Sequence, residues 1–434
     1  MPTELERLAR DGGPPIRTTP LPAGFIGTRM VGEEEKAEVL AVLEGRSLSR
    51  VSGMTPPTRV AAFERELCRR TGSKYALAVT SGTAALEVAL AGLGIGPGDE
   101  VIMPALNFIS SPEAALRLGA VPVFAEIDEG FGLDPANFER RISERTRVVM
   151  PLHVHGAACR IDAIVEVARR HDLLVLENGA WSCGSMFRGQ AVGTFGDAGI
   201  YSLQSVKVIT AGEGGVALTG DPIVYERAVR YHDHGSLRAG GVPASLNEPV
   251  GSPLSPPALE PFVGAAFRMN ELTGAVALAQ VRKLDQVLQR TRQAQHTIIR
   301  GLREIRAGRA TPPFGLRAVP DPEGDCGIAV GVIFPDAAAA GAYQTALRAE
   351  GVPLSWIYGG KPVYALPQLQ SLQPVWTNGT PLLRQGGRPY PPGLCPRTED
   401  LLSRALILAV SPEYTDQDAR DVVRAFAKVT GALA

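Results

Sequence analysis

Lys207 stands where an apolar run of strand character beginning at Tyr201 gives way to the glycine-rich turn TAGEGG. An amine held among apolar side chains loses solvation of its charged form, so its pKa falls and it can form a Schiff base with an aldehyde. That makes Lys207 the candidate anchor for a phosphorylated aromatic aldehyde, pyridoxal 5'-phosphate (PLP). Ser81, Gly82 and Thr83 follow the strand-like YALAVT and open a helix, where free N–H groups and hydroxyls make a phosphate seat; an ordinary N-cap accounts for the same residues. Phe108, just after EVIMPA, could stack on a planar ring, although core packing better explains a lone aromatic. Ser202 could add a further hydroxyl to the phosphate. Glu177, Asn178 and Trp181 lie at the end of the run LLVLEN, where a side chain would meet a pyridine nitrogen; an Asn-Gly turn explains Asn178 and Gly179 as well. His153, His155 and His234 are possible acid–base groups, each better explained as a satisfied edge or core histidine. No HExxH motif or cysteine cluster marks a metal site.

Positioning these groups requires a particular alternation of elements. From Tyr75 the chain runs strand YALAVT, a helix from Ser81, strand EVIMPA, a helix over 111–118, strand VPVFAEID, helix LDPANFERRIS and strand RVVMPLHVHG. The segment IDAIVEVARRHD places Ile161, Ile164, Val165 and Ala168 on one helical face before strand LLVLEN. Such alternation predicts an α/β fold with a mostly parallel sheet and helices on both faces, and ligands in such sheets bind beyond the carboxyl ends of strands. Residues 269–286 read as one long helix bridging to a second domain, and a final helix runs over 416–429. Proline and glycine crowd 236–262 and 371–396, the two expected long loops. The segments expected to shape a substrate pocket, 236–262 and 356–396, offer Tyr358, Lys361 and Tyr364 as contacts.

Composition bounds the function. The chain has 434 residues, 45% hydrophobic and 21% charged, enough for one large core and a smaller one. With 44 Lys+Arg against 45 Asp+Glu, no global field recruits nucleic acid or an anionic membrane, so a small-molecule client is expected. The N-terminal stretch mixes charges without an apolar core, nothing approaches a membrane span, and the five cysteines are scattered. A reduced, cytoplasmic setting is expected.

Taken together, these blocks resemble the DegT/StrS family of PLP-dependent sugar and aminocyclitol aminotransferases, of aspartate-aminotransferase-like fold type I. The resemblance runs from GEEEKAEVLAVLEGRSLS through FERELCRRTGSKYALAVTSGTAALEVALAGLGIGPGDEVIMPALNF, DAIVEVARRHDLLVLEN, RGQAVGTFGDAGIYSLQSVKVITAGEGG and FRMNELTGAVALAQVRKLD to LCPRTEDLLSRALILAVSPEYTDQD. It implies that Lys207 carries the Schiff base to PLP, that Gly82, Thr83 and Ser202 hold the phosphate, and that Phe108 stacks on the ring. It implies a homodimer with shared active sites, an amino group from glutamate or glutamine, and a keto-sugar or keto-cyclitol acceptor in natural-product biosynthesis. The expected organisation is an N-terminal segment over 1–54 packing on the small domain, a large PLP-binding domain over 55–285 and a small C-terminal domain over 286–434.

Three positions depart from the family pattern. Asn178 stands where the family has an aspartate facing the pyridine nitrogen, and Trp181 where it has a glutamine or histidine near the ring oxygen. Ala266 replaces the asparagine sent from the neighbouring subunit to the phosphate. A carboxylate keeps the ring nitrogen protonated and so strengthens the ring as an electron sink; an amide cannot. Transamination, an elimination or other carbon-centred reaction on the same scaffold, and a non-catalytic cofactor-binding role all remain open at this point.

Overall fold

Short apolar runs bounded by turn residues become the strands of the large sheet. The computed structural model describes residues 7–22, 24–51, 53–56, 58–235, 259–307, 312–371 and 390–433. β1 (Tyr75–Val79), β2 (Glu100–Pro104), β3 (Val121–Ala125), β4 (Thr146–Val149) and β5 (Leu174–Asn178) come from the runs read as strands. A small hairpin, β6 (Met186–Phe187) and β7 (Gln190–Ala191), precedes β8 (Ala198–Ser202) and β9 (Gly215–Thr219). The seven-stranded sheet has the order β1-β9-β8-β5-β4-β2-β3, with β9 antiparallel to both neighbours and every other pairing parallel.

The strands are apolar on both faces because helices cover both. After α1 (Glu33–Gly45) and α2 (Arg59–Thr71) come α3 (Gly82–Gly92), α4 (Ser110–Arg117), α5 (Pro135–Glu139), α6 (Ile161–Arg170) and α7 (Pro222–His232). Leu77, Val79, Met103, Leu176 and Ile200 face the cluster built with α3, α4 and α7. Ala76, Ala78, Tyr201 and Leu218 face the opposite way, toward Phe63 and Leu67 of α2. On α6 the buried residues are Ile161, Ile164, Val165, Val167 and Ala168, which contains the face read from its spacing.

The long helix read over 269–286 is instead two, α8 (Glu271–Arg282) and α9 (Leu284–Ala307), meeting at Lys283. The Lys283 amine is held by Glu34 at 2.8 Å, Glu35 at 2.7 Å and the Met30 carbonyl at 2.9 Å, which ties the junction to the start of α1. The helix read over LDPANFERRIS is also shorter, because only the turns after the Asp134 cap and Pro135 close before Arg140.

A four-stranded second sheet, β10 (Gly315–Leu316), β11 (Ala329–Ile333), β12 (Ser355–Trp356) and β13 (Ala405–Ala409), has the order β10-β11-β13-β12. α9, α10 (Ala337–Ala349) and α11 (Asp416–Leu433) pack on it around Phe314, Phe334 and Phe426. Leu8 and Leu21 join that core, where the buried Glu350 carboxylate accepts from the N–H groups of Ala9 and Ile16. From Ile26 onward the N-terminal segment instead packs beside Tyr201 of β8 and Val208 of the loop that follows it.

Candidate functional site

β1, β2, β5 and β8 run parallel, so the residues that leave their carboxyl ends collect along one edge of the sheet. Ser81–Thr83 follow β1, Asn107 and Phe108 follow β2, Asn178 closes β5 and Ser202 closes β8. The loop carrying Lys207 springs from that same last strand.

At the start of α3, Ser81 is an ordinary N-cap whose hydroxyl accepts from the Ala84 N–H at 3.0 Å. Gly82 and Thr83 follow it, and their N–H groups have no carbonyl one turn earlier within the helix. Gly82 lies so close to Ser202 that a Cβ at this position would meet the Ser202 Cβ and Oγ at 2.8 Å. β9 comes equally near, since a Cβ on Gly215 would sit 2.3 Å from the Ser81 carbonyl oxygen. Glycine at both positions leaves a concave cradle of N–H groups with a serine hydroxyl on its wall.

Lys207 is half-buried, and its amine is pushed down to about 7 by burial, which the charge of Glu213 only partly offsets. Its Nζ lies 3.3 Å from the centroid of the Trp181 ring. The indole Nε1 donates to the Tyr358 hydroxyl at 2.8 Å, and the His155 ring lies 4.8 Å from the Trp181 ring. Burial, with Arg317 and Lys207 adding positive charge nearby, holds the His155 imidazole down at about 3, so it is neutral at ordinary pH. Phe108 is 54% exposed, which corrects the core-packing expectation, and its ring centroid is 6.1 Å from that of Tyr358.

Asn178 is buried, and its amide joins two other side chains. Its Nδ2 donates to Ser111 Oγ at 3.0 Å, and its Oδ1 accepts from the Ala180 N–H at 3.1 Å. Ser111 in turn donates to Asn107 Oδ1 at 2.7 Å, which also accepts from the Phe108 N–H at 3.0 Å. Asn107 and Ser111 were not singled out from the sequence; an asparagine and a serine beside a helix start look like capping residues. Gly27 and Thr28 were missed too: the Gly27 N–H donates to the Lys207 carbonyl at 2.9 Å and the Thr28 hydroxyl to the Ser205 carbonyl at 2.7 Å, clamping the lysine loop.

Other candidates lie apart from this edge. Glu177 points to the opposite face of β5, where its carboxylate accepts from the N–H groups of Gly193, Phe195 and Gly196 and from His153 Nε2. Because Cys159 N–H donates to His153 Nδ1 at 3.2 Å, the His153 proton sits on Nε2, and this is a satisfied core histidine. His234 is exposed in the segment after α7, Ala266 is exposed and paired by a backbone bridge to Asp233, and Lys361 is exposed. Tyr364 is buried, donating to Glu399 at 2.6 Å and accepting from Cys395 N–H at 3.1 Å, which corrects its reading as a substrate contact. Most of the two long loops, 236–258 and 372–389, lies outside the described residues. No group of three or more metal-ligating side chains occurs among the described residues.

The family model of the DegT/DnrJ/EryC1/StrS aminotransferases matches residues 29–427. A putative L-glutamine:3-amino-2,3-dideoxy-scyllo-inosose aminotransferase of Streptoalloteichus tenebrarius is 34% identical over 304 residues, covering 69% of this chain and 67% of the relative. GDP-perosamine synthase of Caulobacter vibrioides is 38% identical over 230 residues, covering 53% of this chain and 58% of the relative. The crystal structure of 3-amino-5-hydroxybenzoic acid synthase matches the fold with a TM-score of 0.76 at 26% identity, covering 96% of this chain and 100% of that chain.

Proposed function

The chain belongs to the DegT/DnrJ/EryC1/StrS aminotransferase family, and from that premise we propose that it moves an amino group from glutamine or glutamate to a keto-sugar or keto-cyclitol in natural-product biosynthesis. The observation that carries this reading is Lys207: a half-buried amine lowered to about 7, on the same sheet edge as the Gly82–Ser202 cradle. The relatives named as acting on an inosose and on a GDP-sugar support a cyclic polyhydroxylated acceptor.

The family works with pyridoxal 5'-phosphate and its aminated form, PMP. The start of α3 fits a phosphate, since glycine at position 82 brings its N–H groups close beside the Ser202 hydroxyl, and the lysine fits an aldehyde, since about half of its amine is neutral near pH 7. When bound, the cofactor supplies an aldehyde that takes up the donor's amino group and delivers it to the acceptor's carbonyl carbon. Gly82 and Thr83 hold its phosphate through their N–H groups, with Ser202 adding a hydroxyl. Phe108 stacks on the ring, its exposed face being available for that contact. Lys207 would hold the cofactor through its aldehyde carbon and, once the donor's amine has displaced it from that carbon, its free Nζ is the base placed to carry a proton. Trp181 covers the amine with a π face and has its single donor committed to Tyr358, so it offers the ring oxygen no hydrogen bond. Asn178 would meet the ring nitrogen with an amide.

On organisation, we propose residues 55–285 as the cofactor-binding unit, 286–434 as the smaller unit and 1–54 as the segment laid over them, in a cytoplasmic homodimer. No helix among the described residues is long and apolar enough to cross a membrane.

The test is spectroscopic. Protein loaded with PLP should show the visible band of a lysine-bound cofactor and lose it on addition of glutamine or glutamate as the aminated form appears. Lys207→Ala should lack the band. A band that survives both amino donors, or that persists in the alanine variant, counts against the reading.

A further inference from the structure

We propose that Asn107 and Ser111 are positioning residues that lock Asn178 as a hydrogen-bond donor toward the cofactor's ring nitrogen, so that this protein holds the ring unprotonated. The proposal rests on the PLP reading above and concerns what the chain does to that ring.

The direction of every bond in the network follows from its two ends. Backbone N–H groups can only donate. Phe108 N–H therefore fixes Asn107 Oδ1 as an acceptor at 3.0 Å, and Ala180 N–H fixes Asn178 Oδ1 as one at 3.1 Å. With both amides oriented, Ser111 has one proton and one place for it, Asn107 Oδ1 at 2.7 Å. Its lone pair then accepts from Asn178 Nδ2 at 3.0 Å. The amide of Asn178 cannot flip without setting its NH2 against the Ala180 N–H and its oxygen against the Ser111 lone pair, two donors facing each other at one end and two acceptors at the other.

Burial makes this orientation hard to undo. Asn107 and Asn178 are each 2% exposed and Ser111 is fully buried, so breaking a link costs the desolvation of a buried polar group. The network also ends in donors. One N–H of Asn178 is used on Ser111 and the second is left over, while Asn107 Nδ2 is buried with no hydrogen-bond partner. The second N–H of Asn178, which its bond to Ser111 leaves over, is the donor offered to an acceptor brought by a ligand. An unprotonated pyridine nitrogen is such an acceptor; a pyridinium N–H is not. An aspartate at position 178 would require Ser111 to turn its proton away from Asn107, so the surroundings are fitted to the amide.

Reconstitution with PLP labelled with 15N in the ring, read by NMR between pH 6 and 9, tests this. In the wild-type protein the bound ring nitrogen is expected at the shift of unprotonated pyridine at pH 7, and in Asn178→Asp at the shift of the protonated form. Ser111→Ala frees the amide and is expected to raise the pH at which the ring nitrogen takes up its proton by about one unit, a tenfold change in the protonation equilibrium. Ser111→Thr, which keeps the hydroxyl, should restore the wild-type titration. A protonated ring nitrogen in the wild-type protein, or a Ser111→Ala titration that does not move, overturns the proposal while leaving the aminotransferase reading intact. Wild-type protein that shows no lysine-bound band overturns both.

Discussion

Lys207 is held half-buried against an indole face, and that placement has a thermodynamic consequence independent of any cofactor. Its amine sits at about 7 in the folded chain and at the ordinary 10.5 when unfolded. Between those values the unfolded chain binds the extra proton, so stability rises with pH across that window, and the penalty is complete below about 7. Cofactor-free Lys207→Met should therefore be more stable than wild type at pH 7, by about 2 kcal/mol once the half-exposed position is allowed for. The gain should shrink toward pH 10. Urea unfolding at the two pH values checks it, and an equal gain at both would mean that the amine is not desolvated. The lysine was legible because its type and the glycine-rich turn after it are local signals. Asn107 and Ser111 were not, since their importance arises from a bond to Asn178 67 residues away in sequence.

At the scale of elements, the site depends on how closely the start of α3 approaches β8 and β9. Gly82→Ala puts a methyl 2.8 Å from Ser202 Cβ and Oγ, so the helix start and the serine must move apart. Alanine suits a first helical turn, and the fold should survive. The cradle should not: affinity for PLP is expected to fall at least about tenfold, the loss of one charge-assisted hydrogen bond to phosphate. Equilibrium dialysis with PLP measures it, and unchanged affinity would place the phosphate elsewhere. The strands and α6 were readable because apolar runs and a 3.6-residue period are set by the chain itself. The break at Lys283 was not, because Glu34, Glu35 and the Met30 carbonyl impose it from the other end of the fold. The antiparallel β9 escaped for the same reason, its direction being set by pairing with β1 and β8.

Across the whole molecule, acid sensitivity should come first from two imidazoles rather than from overall charge, which is formally -1 at pH 7. His155 and His232 are both held down at about 3, chiefly by burial, with Arg317 and Lys207 acting on the first and Arg50 on the second. His232 Nδ1 donates to the Val229 carbonyl, which leaves Nε2 buried without a partner; a proton there would be an unpaired internal charge. As pH falls below 6.5 the unfolded chain takes up two protons that the folded chain refuses. Stability drops by at most about 1.4 kcal/mol per pH unit for each group until pH nears 3. Against the opposing effect of burial, Glu35 is held below its usual range chiefly by Lys283 and Asp418 chiefly by hydrogen bonds from Thr415 with Arg17 adding to them, so their contribution is lost only at lower pH. The interval from pH 6.5 to 5 is therefore the window of the two histidines, with the carboxyls of Glu64 and Asp128, both raised chiefly by burial, acting in the opposite direction. His232→Gln keeps a donor for Val229 and carries no titrating group, so it should lose about half of the wild-type decline when urea stability is measured at pH 6.5 and pH 5. A variant that declines as steeply as wild type would assign the acid sensitivity to other groups and leave His232 as packing alone.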